Sequence, residues 1–296
     1  MQQARESIAL QGLETAAAAP APAAPDVGSI PRVDASRAGH AAFAAEAARH
    51  TTALLGVGHV GTRYATDVVL QFQAELAVAH AAVATLLPER WADDHGFVGV
   101  TSRVTSHREF LLRPDLGRRL ADGSLAELRA RCRRGADVQI IVADGLSAVA
   151  CMQTGKRLHD AVAAACAARG LSVGTPVAAR FARVWLEDEI GQETQARVAM
   201  ILLGERPGLG TGDGLSAYLV HAPRIGKTDS DRNMISNIHA RGMPPEQAAE
   251  RLAALADAMI EQKTSGVALD LAALGDTSSG GRGYRAPLVR QRLVGG

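Results

Sequence analysis

The chain has 296 residues, 47% hydrophobic and 21% charged, enough to bury a large core in one or two domains. A formal net charge of +1 and an aromatic content of 3% exclude the strong positive field and the stacking platforms of a nucleic-acid binder. The three cysteines, Cys132, Cys151 and Cys166, have no CxxC spacing, so a disulfide framework or thiolate metal site is disfavoured and a reducing cytoplasm fits.

In chain order, residues 1–45 read as a flexible arm, because "AAAAPAPAAPDVGSIP" (Ala16 to Pro31) cannot bury enough apolar surface to fold. Ile8, Leu10 and Leu13 ahead of it mark a short, weakly amphipathic segment. Residues 46–134 read as a mostly helical unit. Val69, Phe72, Leu76 and Val83 recur at helical spacing behind Thr66, which is available as a cap, and the stretch from 88 to 134 reads as helices broken at Pro114 and Gly123. The pattern changes at Asp137. "DVQIIVADG" is a β-branched run closed by a turn, a helical stretch follows from Leu146 to Arg169, and "GTPVAARF", "ARVAMILLG", "LSAYLVH" and "MISNI" supply further strands. Residues 135–268 therefore read as an α/β sheet domain. It closes with a helix opened by Pro244 and Pro245, striped by Ala248, Leu252, Leu255 and Met259, and stopped by Gly266. Residues 269–296 lack any such pattern and read as a disordered tail. The densest apolar run, "VAMILLG", is far too short to span a bilayer, and no signal-peptide pattern opens the chain.

Several motifs resemble chemistry without supporting it. "LLGVGHVG" (Leu54 to Gly61) looks like a dinucleotide fingerprint, but it lacks a convincing preceding strand and a well-placed acid about 20 residues on. Gly56, Gly58 and Gly61 are better read as a tight turn or close approach ahead of the helix at Thr66. "DDHGFV" from Asp93 begins like the DxHxxG signature that places a histidine on cobalt, yet Val98 stands at the glycine position, so it reads as a loop. The nine histidines form no HExxH pair and read as surface or packing residues. The arginine-rich stretch from Arg113 to Arg134 is interleaved with acids and reads as a solvated face or subunit contact. Ser147 lacks a G-x-S-x-G elbow and reads as a helix cap or first-turn residue. The strongest site signal is "LLGERPGLG" (Leu202 to Gly210), an apolar strand ending in Glu205 and Arg206 before a Gly/Pro-rich loop. Open α/β sheets bind ligands at that edge; a turn with merely solvated charges is the alternative.

These residues resemble the small (light) subunit of ethanolamine ammonia-lyase. The similar segments include "GVGHVGTR", "RPDLGRRL", "DVQIIVADGLSA", "GTPVAARFARVWLEDEIG", "LLGERPGLG", "APRIGKTDSDRNMISNIHARG" and "AALADAMIEQKTSG", in family order from about residue 54 to 267. The resemblance implies an α/β fold with a helical N-terminal domain followed by a Rossmann-like domain. It also implies an adenosylcobalamin enzyme converting ethanolamine to acetaldehyde and ammonia, with the substrate site in a large subunit and the cobalamin held between the two chains. Neither nucleic acid nor membrane enters this reading. The complex belongs to the cytoplasm, where packaging in a bacterial microcompartment stays open. Carried over by position, the family's cobalamin contacts fall on Val184, Glu205 and Met234, and no catalytic residue or metal ligand falls on this chain. Met234 departs from the family's usual cysteine, replacing a thiol by a larger thioether that packs adaptably but cannot donate. Tyr64, Ala65, Glu75 and Leu76 also depart from the family pattern. Two rivals stand beside this reading: a stand-alone hydrolase or transferase using Ser147, Glu205 and Arg206, and an interaction protein of the same fold without the cofactor, for which Met234 is the only hint.

Overall fold

The computed structural model describes residues 59–208 and 212–274, together with Phe43, Glu46, Ala47, Arg49, His50 and Leu55. The arm apart from Phe43, the tail beyond residue 274, and Gly56, Gly58 and Gly210 lie outside the described residues.

The continuous described stretch opens with a hairpin of β1 (His59–Val60) and β2 (Arg63–Tyr64). Gly61 turns it with φ +62, a conformation side-chain-bearing residues avoid. Helix α1 (Thr66–Ala84) follows, then α2 (Trp91–Asp94), β3 (Val98–Thr101), α3 (His107–Leu112) and α4 (Asp122–Arg131). β4 (Val138–Ala143) leads into α5 (Ala148–Ala150), a π-helical turn over Cys151–Gly155, and α6 (Lys156–Ala168). The rest comprises β5 (Val177–Arg180), α7 (Leu186–Thr194), β6 (Val198–Gly204), β7 (Leu215–His221), β8 (Arg232–Ile238) and α8 (Pro245–Gln262).

β3 to β8 form a mixed sheet of six strands in the order β3-β5-β4-β6-β7-β8, parallel as far as β6 and antiparallel beyond it. β4 and β6 are buried at every position, as expected of central strands covered on both faces, and this is why their sequences are near-continuous apolar runs. One face packs α6 and α8 through Leu158, Val162, Leu252 and Met259. The other packs α4 and α7 through Leu128, Leu186 and Ile190. The two strands at the antiparallel end differ. Leu215, Ala217 and Leu219 of β7 join the core on the α8 face, whereas Tyr218 points to the opposite face, and there Met234 and Ser236 of β8 remain exposed. No helix among the described residues is long and apolar enough to cross a membrane.

Several local expectations change. The stretch from 88 to 134 is not purely helical, because β3 pairs with β5 along the edge of the sheet; four residues centred on Gly99 carry too little alternation to announce a strand. Gly123 lies inside the first turn of α4 rather than at a break. α1 forms as expected, but Ala65 occupies the cap position and the buried positions are Val68, Gln71, Glu75, Ala79 and Ala82. Val69 and Leu76 of the anticipated stripe are exposed. Small alanines allow close approach on the buried side, and Gln71 satisfies Glu75 there through a 2.8 Å hydrogen bond. α8 ends at Lys263, which adopts φ 55 and donates its amide to Met259; Gly266 instead sits in a separate turn where a Cβ would meet the Ser230 carbonyl at 1.9 Å.

Candidate functional site

The strands that end at Ala143, Arg180 and Gly204 define the carboxyl edge of the parallel half-sheet. The helices following adjacent strands β4 and β5 leave toward opposite faces, which in open α/β sheets creates a ligand crevice. Here protein fills it. The Asp144 carboxylate accepts hydrogen bonds from the amides of Phe181 at 2.8 Å and Ala182 at 3.1 Å. Burial pushes this carboxyl up to about 6, against the opposing pull of those amides and the amide of Gly145.

The open part of the edge lies one strand further, where β6 ends. Gly204 is needed there: an added Cβ would stand 2.2 Å from the Ser147 carbonyl and 2.3 Å from that of Asp144. Glu205 follows, its amide donating to the Gly214 carbonyl at 3.0 Å, so the loop beyond it is closed at its base. Its Oε1 accepts a 2.9 Å hydrogen bond from the Tyr218 hydroxyl. Tyr218 is in turn the register partner of Met234 on β8. A cleft of about 350 Å³ opens on this face, lined among others by Glu205, Arg206, Ser216, Tyr218, Met234 and Ser236. Met234 is 50% exposed, and Ser216 is 1% exposed. The Ser216 hydroxyl has no hydrogen-bond partner among the described residues.

The structure thus brings two of the three carried-over positions, Glu205 and Met234, into one cleft. Val184 does not line it. It lies in the turn before α7, half-buried against the same apolar cluster as Tyr218.

A buried charged group adjoins the site. Arg232 Nε lies 3.1 Å from Glu187 Oε1, and Arg232 Nη2 donates to Asp188 Oδ2. Burial pushes Glu187 well above the usual carboxylate range and Asp188 up to about 6, while the guanidinium opposes both shifts. Glu187 also acts on the Tyr218 phenol, which is raised by burial first and by the Glu205 carboxylate next. Sequence reading missed Tyr218, Ser216 and this group. Their signals were faint: the alternation in "LSAYLVH", and three successive acids opening a helix amid apolar residues.

The other candidates resolve into structure. Ser147 caps α5 by accepting from the Ala150 amide at 3.1 Å, donates to the Gly212 carbonyl at 2.8 Å, and is fully buried. His95 stacks on Trp91 with ring centres 4.5 Å apart. In the arginine-rich stretch two side chains pair with α7, Arg119 with Glu189 at 3.1 Å and Arg129 with Glu193 at 2.7 Å, while Arg113 pairs with Asp115 on the exposed surface. All three cysteines are free and buried. Among the described residues no three His, Cys, Asp or Glu side chains gather to hold a metal ion. A second cleft of about 300 Å³ lies beside edge strand β3, lined by Glu89, Arg131 and Arg180 among others, and takes in none of the carried-over residues. Compared with known families, residues 42–270 match the model of the ethanolamine ammonia-lyase light chain (EutC).

Proposed function

The chain belongs to the ethanolamine ammonia-lyase light-chain family, and on that premise we propose that it forms one wall of an adenosylcobalamin site shared with the large subunit. In this reading the large subunit holds ethanolamine and the light chain binds and orients the cofactor without taking part in bond breaking. The parallel half-sheet with helices on both faces supports reading residues 135–268 as a Rossmann-like unit.

The observation that carries the proposal is the cleft beside Glu205. A corrin ring presents amide side chains around an apolar rim. The Glu205 carboxylate accepts from amide N–H groups, the orphaned Ser216 hydroxyl offers a further donor or acceptor, and the exposed Met234 thioether gives an adaptable apolar contact. These residues fit an edge of the cofactor. They do not enclose it, since about 350 Å³ is near the lower end of the roughly 300–1,000 Å³ that holds a drug-sized ligand, and a corrinoid is larger. Adenosylcobalamin, when bound, supplies the radical chemistry, and protein contributes binding and orientation. A hydrolase built on Ser147 is disfavoured because its hydroxyl is fully buried and committed to two backbone partners.

The test is Glu205→Ala in the complex of both chains, titrated with adenosylcobalamin. A hydrogen bond to a charged group contributes about 1.5–3 kcal/mol, so affinity should fall roughly tenfold to hundredfold while ethanolamine binding changes much less. An unchanged dissociation constant in an assembled complex would make Glu205 a turn residue and remove the main support for the site.

A further inference from the structure

We infer that Tyr218 is a positioning residue, which holds the Glu205 carboxylate in the orientation that receives the cofactor. This inference rests on the reading of Glu205 as a cobalamin contact. Glu205 stands beyond the end of β6, so the sheet fixes its backbone only through the amide bond to Gly214. Its side chain retains the rotational freedom of a long acid, and it has no ion pair among the described residues, the neighbouring Arg206 included. The 2.9 Å bond from the Tyr218 hydroxyl to Oε1 is the contact that restrains it, leaving Oε2 to accept from a ligand.

Tyr218 is well placed for that task. Its backbone is paired on both sides, with Ile201 of β6 and Met234 of β8, and its ring packs against the apolar cluster on this face. A phenol carried by a central strand is therefore a fixed donor for a group carried by a loop. It is also a neutral donor, so it orients the carboxylate without cancelling the charge, as an arginine would. Burial and the facing carboxylate raise the phenol, which keeps its proton in place throughout the working range. Tyr218 is two positions along β7 from Ser216 and is the register partner of Met234 on β8, and all three line the cleft.

The experiment is a double-mutant cycle in the assembled two-chain complex, with Tyr218→Phe, Glu205→Ala and the double variant each titrated spectrophotometrically with adenosylcobalamin. Tyr218→Phe keeps the ring and removes the hydroxyl, so melting temperature and assembly should hold. Releasing one ordered side chain costs about 0.5–1.5 kcal/mol, so Tyr218→Phe should weaken the cofactor by roughly two- to twelvefold, and should add nothing once Glu205 is alanine. A purely structural role would not produce that loss of effect. If Glu205→Ala weakens binding and Tyr218→Phe does not, the inference fails and the site reading stands. Equal losses from Tyr218→Phe in both backgrounds would also overturn it, because the tyrosine would then act independently of Glu205. If Glu205→Ala itself changes nothing, the site reading has failed, and the positioning role goes with it.

Discussion

Asp144 shows how one residue can redirect the placement of a site. At the crevice where a doubly wound sheet usually takes its ligand, this carboxylate accepts from two amides of the segment after β5, so the space is used to tie strands together. Its folded carboxyl lies near 6 against an ordinary value of 3.8. The folded chain therefore holds the proton more tightly than the unfolded chain, and this contribution to stability is full below 3.8 and lost as pH rises through about 6. Asp144→Asn removes the titration. The unfolding free energy of the native chain relative to this variant should then decline between pH 4 and 6 and flatten above, a trend that urea titrations at several pH values would read. A constant difference across that window would show that Asp144 is not a buried titrating group. The residue is invisible as such in the sequence, where "VADG" reads only as a strand meeting a turn.

At the scale of elements, legibility followed the length and regularity of the pattern. β4 and β6 are near-continuous apolar runs, β4 broken only by Gln139, and were readable directly, as was α8 with its paired prolines and apolar stripe. β3 was missed because four residues around Gly99 cannot establish a period. α1 was found, but its buried face was misread, because alanines and a Gln–Glu pair line that face while larger aliphatics point outward. The site divides in the same way. Glu205 was legible because a charge after an apolar strand and before a Gly/Pro-rich loop is a local feature. Tyr218 was not, since its bond to Glu205 depends on the register of the β6–β7 hairpin. β6 itself is seated at its end, where Gly204 lies close against the turn after β4. Gly204→Ala would force a Cβ into the carbonyls of Asp144 and Ser147, and such overpacking costs about 1–3 kcal/mol. For a folded region of this size the melting temperature should fall by roughly 2–12 °C. An unchanged melting curve would mean that the strand end and the Asp144–Ser147 turn are more loosely packed than their geometry indicates.

At the scale of the whole molecule, the proposed reading makes this chain one part of a shared site. Several titratable groups among the described residues are held inside the fold: Asp144 bonds to backbone, Glu187 and Asp188 face Arg232, and the three cysteines are buried. Glu205 and Met234 instead meet an open face at the antiparallel end of the sheet, where α8 covers one side and Met234 and Ser236 stay exposed on the other. A cofactor resting there would keep much of its surface in water until a second chain closed over it, and affinity depends on contacts that are fully desolvated and pre-organised. The isolated chain should therefore release no acetaldehyde from ethanolamine when supplied with adenosylcobalamin. Its affinity for the cofactor, measured by equilibrium dialysis, should be lower than that of the two-chain complex by roughly a hundredfold, equivalent to about 2.7 kcal/mol of missing contact. Addition of the large subunit should restore both. Steady deamination by the light chain alone would overturn the division of roles. Equal affinity in the two preparations would show that this chain owns the complete cobalamin site, and the search for the remaining contacts would then turn to residues outside the cleft beside Glu205.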